Sequence, residues 1–217
     1  MHIMEGYLPF KHAALWTIAM AVVTFSSVKD VRAQLNVDRQ TLLKLGAAIG
    51  FCFLLSSLKI PSITGSSSHP TGIGLGTLLL GPHIMPLVGV ITLLFQAVLL
   101  AHGGLTTLGA NTFSLAIFGP WCVYFLFIAM QRLQLPMSWR VFIASSVGGL
   151  AVYGFTAFQL ALAFHEAGEG IGASWLRFIL IFAPTQIPLS LAEGLLTVVC
   201  MKALGKSKLE FDHASRD

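Results

Sequence analysis

The feature that most constrains this chain is a succession of long apolar runs, with its charges confined to the connections between them. Apolar segments occur near residues 11–28, 41–58, 71–82, 84–101, 109–130, 140–164 and 175–203. Most approach the roughly 20 apolar residues that a helix needs to cross a hydrocarbon core. Of the 217 residues 55% are apolar and only 10% charged, with a mean hydropathy of +0.80; a soluble domain carries about 25% charge. The pattern predicts an all-α integral membrane protein with seven transmembrane helices. They form a single membrane domain over residues 1–204, with a cytoplasmic tail over 205–217. The third segment is short and holds Gly72, Gly74, Gly76 and Gly81, so it reads as a broken span or one half of a helical hairpin. Glycine lets membrane helices approach closely.

The lysines and arginines orient the spans. With seven crossings, Lys29, Arg32, Arg39, Lys44, Arg132, Arg140, Lys202, Lys206, Lys208 and Arg216 share one side, and Lys11, Lys59 and Arg177 the other. A ten-to-three split places the C-terminus in the cytoplasm and the N-terminus outside. The acidic connection with Glu166 and Glu169 then also lies outside. So do the N-terminus and the loops around His69, His102 and His165, whereas His83 and His213 fall on the cytoplasmic side. Potential metal ligands thus gather on one face of the membrane.

Several function classes are excluded early. The net charge of +4 comes from scattered loop residues, so it is not a nucleic-acid footprint. Cys52, Cys122 and Cys200 sit inside apolar runs without metal-ligand spacing and read as packed hydrophobes. No Gly-x-x-x-x-Gly-Lys-Ser/Thr phosphate loop is present, so the chain is not expected to be an ATPase or another enzyme. No signal peptide is evident: the first apolar run follows Pro9 and lacks a cleavage pattern. The mature chain is therefore expected to begin at Met1.

That beginning carries chemistry. Met1-His2 offers three nitrogens in one place: the α-amine, the His2 amide and the His2 imidazole. Amine to amide closes a five-membered chelate ring, and amide to imidazole Nδ1 a six-membered one. A planar nitrogen set suits Ni(II), Cu(II) or Co(II) better than Mg(II) or Ca(II), which take oxygen. Residues 1–10 are accordingly read as a metal-binding segment. A second element, Thr64-Gly65-Ser66-Ser67-Ser68-His69-Pro70-Thr71-Gly72, brackets one histidine with small residues, so that another segment can come close to it. A third, Ala101-His102-Gly103-Gly104-Leu105-Thr106-Thr107-Leu108-Gly109-Ala110-Asn111, adds polar groups on the same side. Asn111 is expected to hydrogen-bond a metal ligand. His102 is expected to support the ligands or line the ion's way in rather than bind the ion directly.

These three stretches resemble the CbiM/NikM family, the cobalt and nickel capture subunits of energy-coupling-factor transporters. The resemblance runs from Met1 to about residue 200, with MHIMEGYLP, TGSSSHPTGIGLG and AHGGLTTLGAN in order. It implies a six-helix capture-subunit core preceded by an extra N-terminal helix. It further implies a square-planar site made by the Met1 amine, the His2 amide, the His2 imidazole and the His69 imidazole, with Ser67, Ser68, His102 and Asn111 around it. The implied activity is capture of Co(II) on the outer face of the cell inner (plasma) membrane for ATP-driven import in support of cobalamin biosynthesis; Ni(II) is the alternative. The metal is cargo, and no prosthetic group is implied. The implied partners are a transmembrane coupling subunit, two ATP-binding-cassette ATPase subunits and, in the cobalt branch, a small two-span membrane subunit. Proline and threonine after His69 match the cobalt branch, although Ser67 stands where that branch often has cysteine.

Rival readings fit less well. A serine hydrolase needs a base facing its serine, and the adjacent Ser68 and His69 do not supply one. Capture of an organic vitamin leaves His2 and the extra helix without a purpose. A channel lines its whole path with polar groups, whereas here Glu193 is the main mid-span charge.

Overall fold

The computed structural model of the protein describes residues 2–37, 40–58, 60–61, 67–165 and 168–204. Among them are seven helices. These are α1 (Phe10–Val37), α2 (Gln40–Ser57), α3 (Ile73–Leu80) and α4 (Met85–Leu100), then α5 (Leu108–Arg132), α6 (Met137–Phe164) and α7 (Gly170–Ala203). Two two-residue strands, β1 (Ile60–Pro61) and β2 (Ser67–Ser68), pair antiparallel ahead of His69, with Ile60 opposite Ser68 and Pro61 opposite Ser67. The described residues are therefore all-α apart from this small strand pair.

Each apolar segment of the sequence contains one helix. Five of the seven, α1, α2, α5, α6 and α7, are long and apolar enough to cross a membrane, and α4 is apolar but shorter. The eight residues of α3 rise about 12 Å, well short of a bilayer core. α3 begins after Gly72 (φ 75°) and ends at Gly81 (φ 84°), and the turn to α4 follows at once. At Gly72 a Cβ would lie 3.1 Å from Cys52 Sγ, so both the backbone angle and the close approach of α2 call for glycine there. α1 runs past its apolar stretch through Lys29, Asp30 and Arg32 to Val37, because charged residues do not stop a helix once they reach water.

The surface is inverted relative to a soluble protein. Leu15, Ile18, Val22 and Phe25 of α1 face outward, as do Val98 and Leu99 of α4 and Leu180 and Leu195 of α7. Thr92, Gln96, Gln159, Gln186 and Glu193 are buried. Apolar outside and polar inside is the arrangement that lipid demands. α1 lies at the periphery: 22% of its most apolar window is buried, against 50% for α5 and α6. Its inward stripe, Ala13, Trp16 and Met20, has helical spacing. The Trp16 ring meets Phe113 at 5.0 Å and Phe155 at 5.5 Å between centroids. Gly109 makes the close approach of α1 to α5 possible, since a Cβ there would strike the backbone of Thr17. α6 and α7 pack together along much of their length. A π-helical stretch, Phe113–Phe118, interrupts α5 just beyond Asn111.

A buried histidine site

The N-terminal segment folds inward, and its backbone is tied down residue by residue. Ile3 N–H donates to Asn111 Oδ1 at 2.8 Å, and Asn111 Nδ2 donates back to Ile3 O at 3.0 Å. Thr107 Oγ1 donates to the same carbonyl at 2.9 Å. Further out, Glu5 N–H donates to Gly103 O at 3.1 Å, Gly6 N–H to Thr106 Oγ1 at 3.0 Å, and Thr106 N–H to the Glu5 carboxylate at 3.2 Å. Hydrogen bonding to Thr106, side chain first, holds the Glu5 carboxyl below its ordinary range, against a smaller opposing effect of burial. The segment therefore lies along the 103–111 stretch like an added strap.

This strap carries His2 into the interior, where it is buried with His69 and His102. The His2 and His69 rings stack with centroids 4.9 Å apart and planes 22° apart. His102 meets both edge-on, at 4.3 Å from His2 and 4.8 Å from His69. One nitrogen from each ring can be chosen so that all three lie within 4.8 Å of one another. Among the described residues this is the group of side chains spaced to hold a metal ion.

The protons can be assigned in part. His69 Nδ1 lies 2.8 Å from Pro70 O, and a carbonyl only accepts, so Nδ1 carries the proton and the lone pair of the neutral ring is on Nε2. A backbone carbonyl on the far nitrogen is the usual way to orient a ligating imidazole. His2 Nδ1 shares a hydrogen bond of 2.9 Å with His102 Nε2, which makes His102 a direct neighbour of the atom that the chelate needs. Three buried imidazole rings offer nitrogen donors, which favour late transition-metal ions over Mg(II) or Ca(II).

The other residues singled out in the sequence have distinct placements. Met1 lies outside the described residues, as does the side chain of Ser67, whose backbone pairs with Pro61. Ser68 is buried and accepts a 2.5 Å hydrogen bond from Gln186 Nε2. Asn111 grips the backbone of Ile3 rather than a histidine side chain. His165 is an exposed residue at the end of α6, and His83 packs edge-on to Trp121; neither joins the cluster. Gln186, Thr107, Glu5 and Glu193 also take part in holding these segments. Of these only Glu193, an acid inside an apolar run, gave a visible signal.

Fold and site together define a multi-pass membrane protein with a buried cluster of three histidines. Comparison with known proteins narrows this. Residues 2–211 match the family CbiM, described as the cobalt uptake substrate-specific transmembrane region, and the chain belongs to that family. It is 50% identical over 204 residues to "Cobalt transport protein CbiM 1" of Pelobacter propionicus, covering 94% of this chain and 90% of that one. It is 49% identical over 207 residues to "Cobalt transport protein CbiM" of Streptomyces coelicolor, covering 95% and 89%. The solved structure of a truncated transition metal transporter superposes with a TM-score of 0.82 at 26% identity, over 95% of this chain and 99% of that one.

Proposed function

We propose that this chain is the metal-capture subunit of an energy-coupling-factor transporter, binding Co(II) on the external face for ATP-driven import in support of cobalamin biosynthesis. The observation that carries the reading is the stacking of His2 on His69, buried and 67 positions apart in sequence. The expected ligands are the Met1 amine, the His2 amide, His2 Nδ1 and His69 Nε2 in one plane. His69 Nε2 has the required lone pair because Pro70 O takes the proton on the other side. His102 orients the His2 ring through its 2.9 Å hydrogen bond to Nδ1, a bond that ligation of Nδ1 would replace. Ligation releases the amide and ammonium protons, so binding weakens as pH falls.

The ATPase subunits, the coupling subunit and the small two-span subunit belong to this proposal. So do seven crossings built as a six-helix core plus an N-terminal helix, residence in the inner membrane, an external N-terminus and a cytoplasmic C-terminus. The cobalt-transport names carried by the relatives favour cobalt over nickel.

The test is Co(II) and Ni(II) binding to detergent-purified protein with an unmodified N-terminus, beside the same protein with its α-amine selectively acetylated. Acetylation leaves every side chain in place but takes the amine lone pair out of the chelate. Tight binding that disappears on acetylation is the expected result. Undiminished binding would sink the N-terminal chelate.

A further inference from the structure

His69 lies in a short stretch, Ser68–Thr71, that one face of α7 holds at both ends. Gln186 and Glu193 are seven residues apart, about two turns, and so project from the same side of α7. Both are buried, at 4% and 3% exposure. Ahead of His69, Gln186 Nε2 donates to Ser68 Oγ at 2.5 Å. Behind it, Thr71 Oγ1 donates to Glu193 Oε1 at 2.5 Å and Thr71 N–H donates to Oε2 at 3.1 Å. The Thr71 hydroxyl also accepts from Ile73 N–H at 3.2 Å, which fixes its direction at the start of α3. Between the two grips, Pro70 supplies the carbonyl that holds His69 Nδ1. Fixing Thr71 therefore fixes Pro70, and the Pro70 carbonyl in turn sets the orientation of the His69 ring that stacks on His2.

We propose that Gln186 and Glu193 are positioning residues that hold His69 in register with the His2 chelate, so that α7 sets the affinity of the site for its ion. The proposal rests on the metal-capture reading given above. The choice of a carboxylate has a specific reason: two donors from Thr71 meet two separate acceptor oxygens. A carboxamide has one acceptor oxygen, and its NH2 would be turned against a donor. Pro184 and Pro188 flank Gln186 within α7. Each removes a helix hydrogen bond next to the grip, so the segment that holds His69 lacks two of the backbone ties of an uninterrupted helix.

The experiment measures Co(II) binding to the detergent-purified full chain, by competition with a chelating dye and by the visible ligand-field absorption of the bound ion. Partners that orient a ligating histidine typically change metal affinity by about ten- to a hundredfold. Glu193→Gln and the near-isosteric Thr71→Val should each weaken binding within that range and shift the absorption band as His69 moves. The double variant should lose no more than the worse single variant, because both remove one shared contact. Glu193→Asp, which keeps two acceptor oxygens, should recover part of the loss, and Gln186→Leu should weaken binding roughly tenfold. Variants that bind as tightly as the unsubstituted protein, with the same band, would overturn the positioning role. So would variants that melt earlier but bind with an unshifted band, since that is the mark of a purely structural contact. Failure of the unsubstituted protein to bind Co(II) or Ni(II) would instead overturn the functional reading, and this proposal with it.

Discussion

The strap that carries His2 is secured most deeply by Asn111, and replacing that residue by alanine gives a worked test of how the chelate is held. In the native arrangement Ile3 N–H has Asn111 Oδ1 as its partner at 2.8 Å. The Ile3 carbonyl has two partners, Asn111 Nδ2 at 3.0 Å and Thr107 Oγ1 at 2.9 Å. Asn111→Ala leaves the carbonyl with one donor, a loss of about 0.5 kcal/mol, and strands a buried N–H at a cost of about 1–3 kcal/mol. A net penalty of about 2 kcal/mol falls on the docked strap. The ion needs His2 docked beside His69, so affinity falls with the docked fraction of the ion-free protein, and the penalty sets the ceiling of that loss. At 1.4 kcal/mol per tenfold, affinity for Co(II) should drop by up to about 30-fold. The assay is dye-competition binding on protein shown to be folded by its thermal transition. Ni(II) affinity should fall by a similar factor, because docking is lost before either ion is chosen. A variant that matches the unsubstituted protein in both Co(II) affinity and thermal midpoint would refute the claim that this grip supports the chelate.

Three other outcomes are expected. His69→Ala should lower Co(II) affinity by more than about a hundredfold, and His102→Ala by less than about tenfold, in calorimetric titration, since the first removes a ligand and the second a neighbour of one. Glu5→Gln should lower the thermal midpoint slightly at neutral pH. The Glu5 carboxyl is held below its ordinary value of 4.5 in the folded protein, so its contribution is present above that value and is lost as pH falls through the lower folded one. The difference between the two proteins, followed by melting in a pH series, should therefore vanish on acidification. Gly109→Ala places a methyl group against the Thr17 backbone and should destabilise the fold by about 1–3 kcal/mol, read as a lowered melting temperature with α1 pushed from α5.

The helices were legible because hydropathy is a local property: each apolar run reports its own partition into lipid, whatever its neighbours do. His2 and His69 were legible for another reason, the scarcity of histidine together with the small residues around His69 and the chelating sequence at the start. The long-range ties were not. Asn111 could be placed near the site, yet nothing local distinguishes a bond to a ligand side chain from the grip it makes on the backbone of Ile3, 108 positions away. Gln186 looks like any polar residue in a helix interrupted by prolines, and its tie to Ser68 spans 118 positions. The brevity of α3 was foreshadowed by its glycines, but its eight-residue length depends on left-handed angles at Gly72 and Gly81 that composition does not report.

The two histidines that stack belong to different mechanical units. His2 is delivered by a strap tied to the 103–111 stretch at the head of α5. His69 sits on a turn whose flanking side chains are held by α7. The site is thus a seam between two supports, and the ion would be the element that closes it. That division has a consequence for combined substitutions. Asn111→Ala and Glu193→Gln share no partner and act on opposite sides of the seam, so their fold-losses in Co(II) affinity should multiply. Thr71→Val and Glu193→Gln act on one side and should not. A multiplicative outcome for both pairs would mean that Thr71 and Glu193 do not act through their mutual contact. Strong coupling between Asn111 and Glu193 would mean that strap and turn move as one body. Opening the site by parting α5 from α7 would then be ruled out as a route to release.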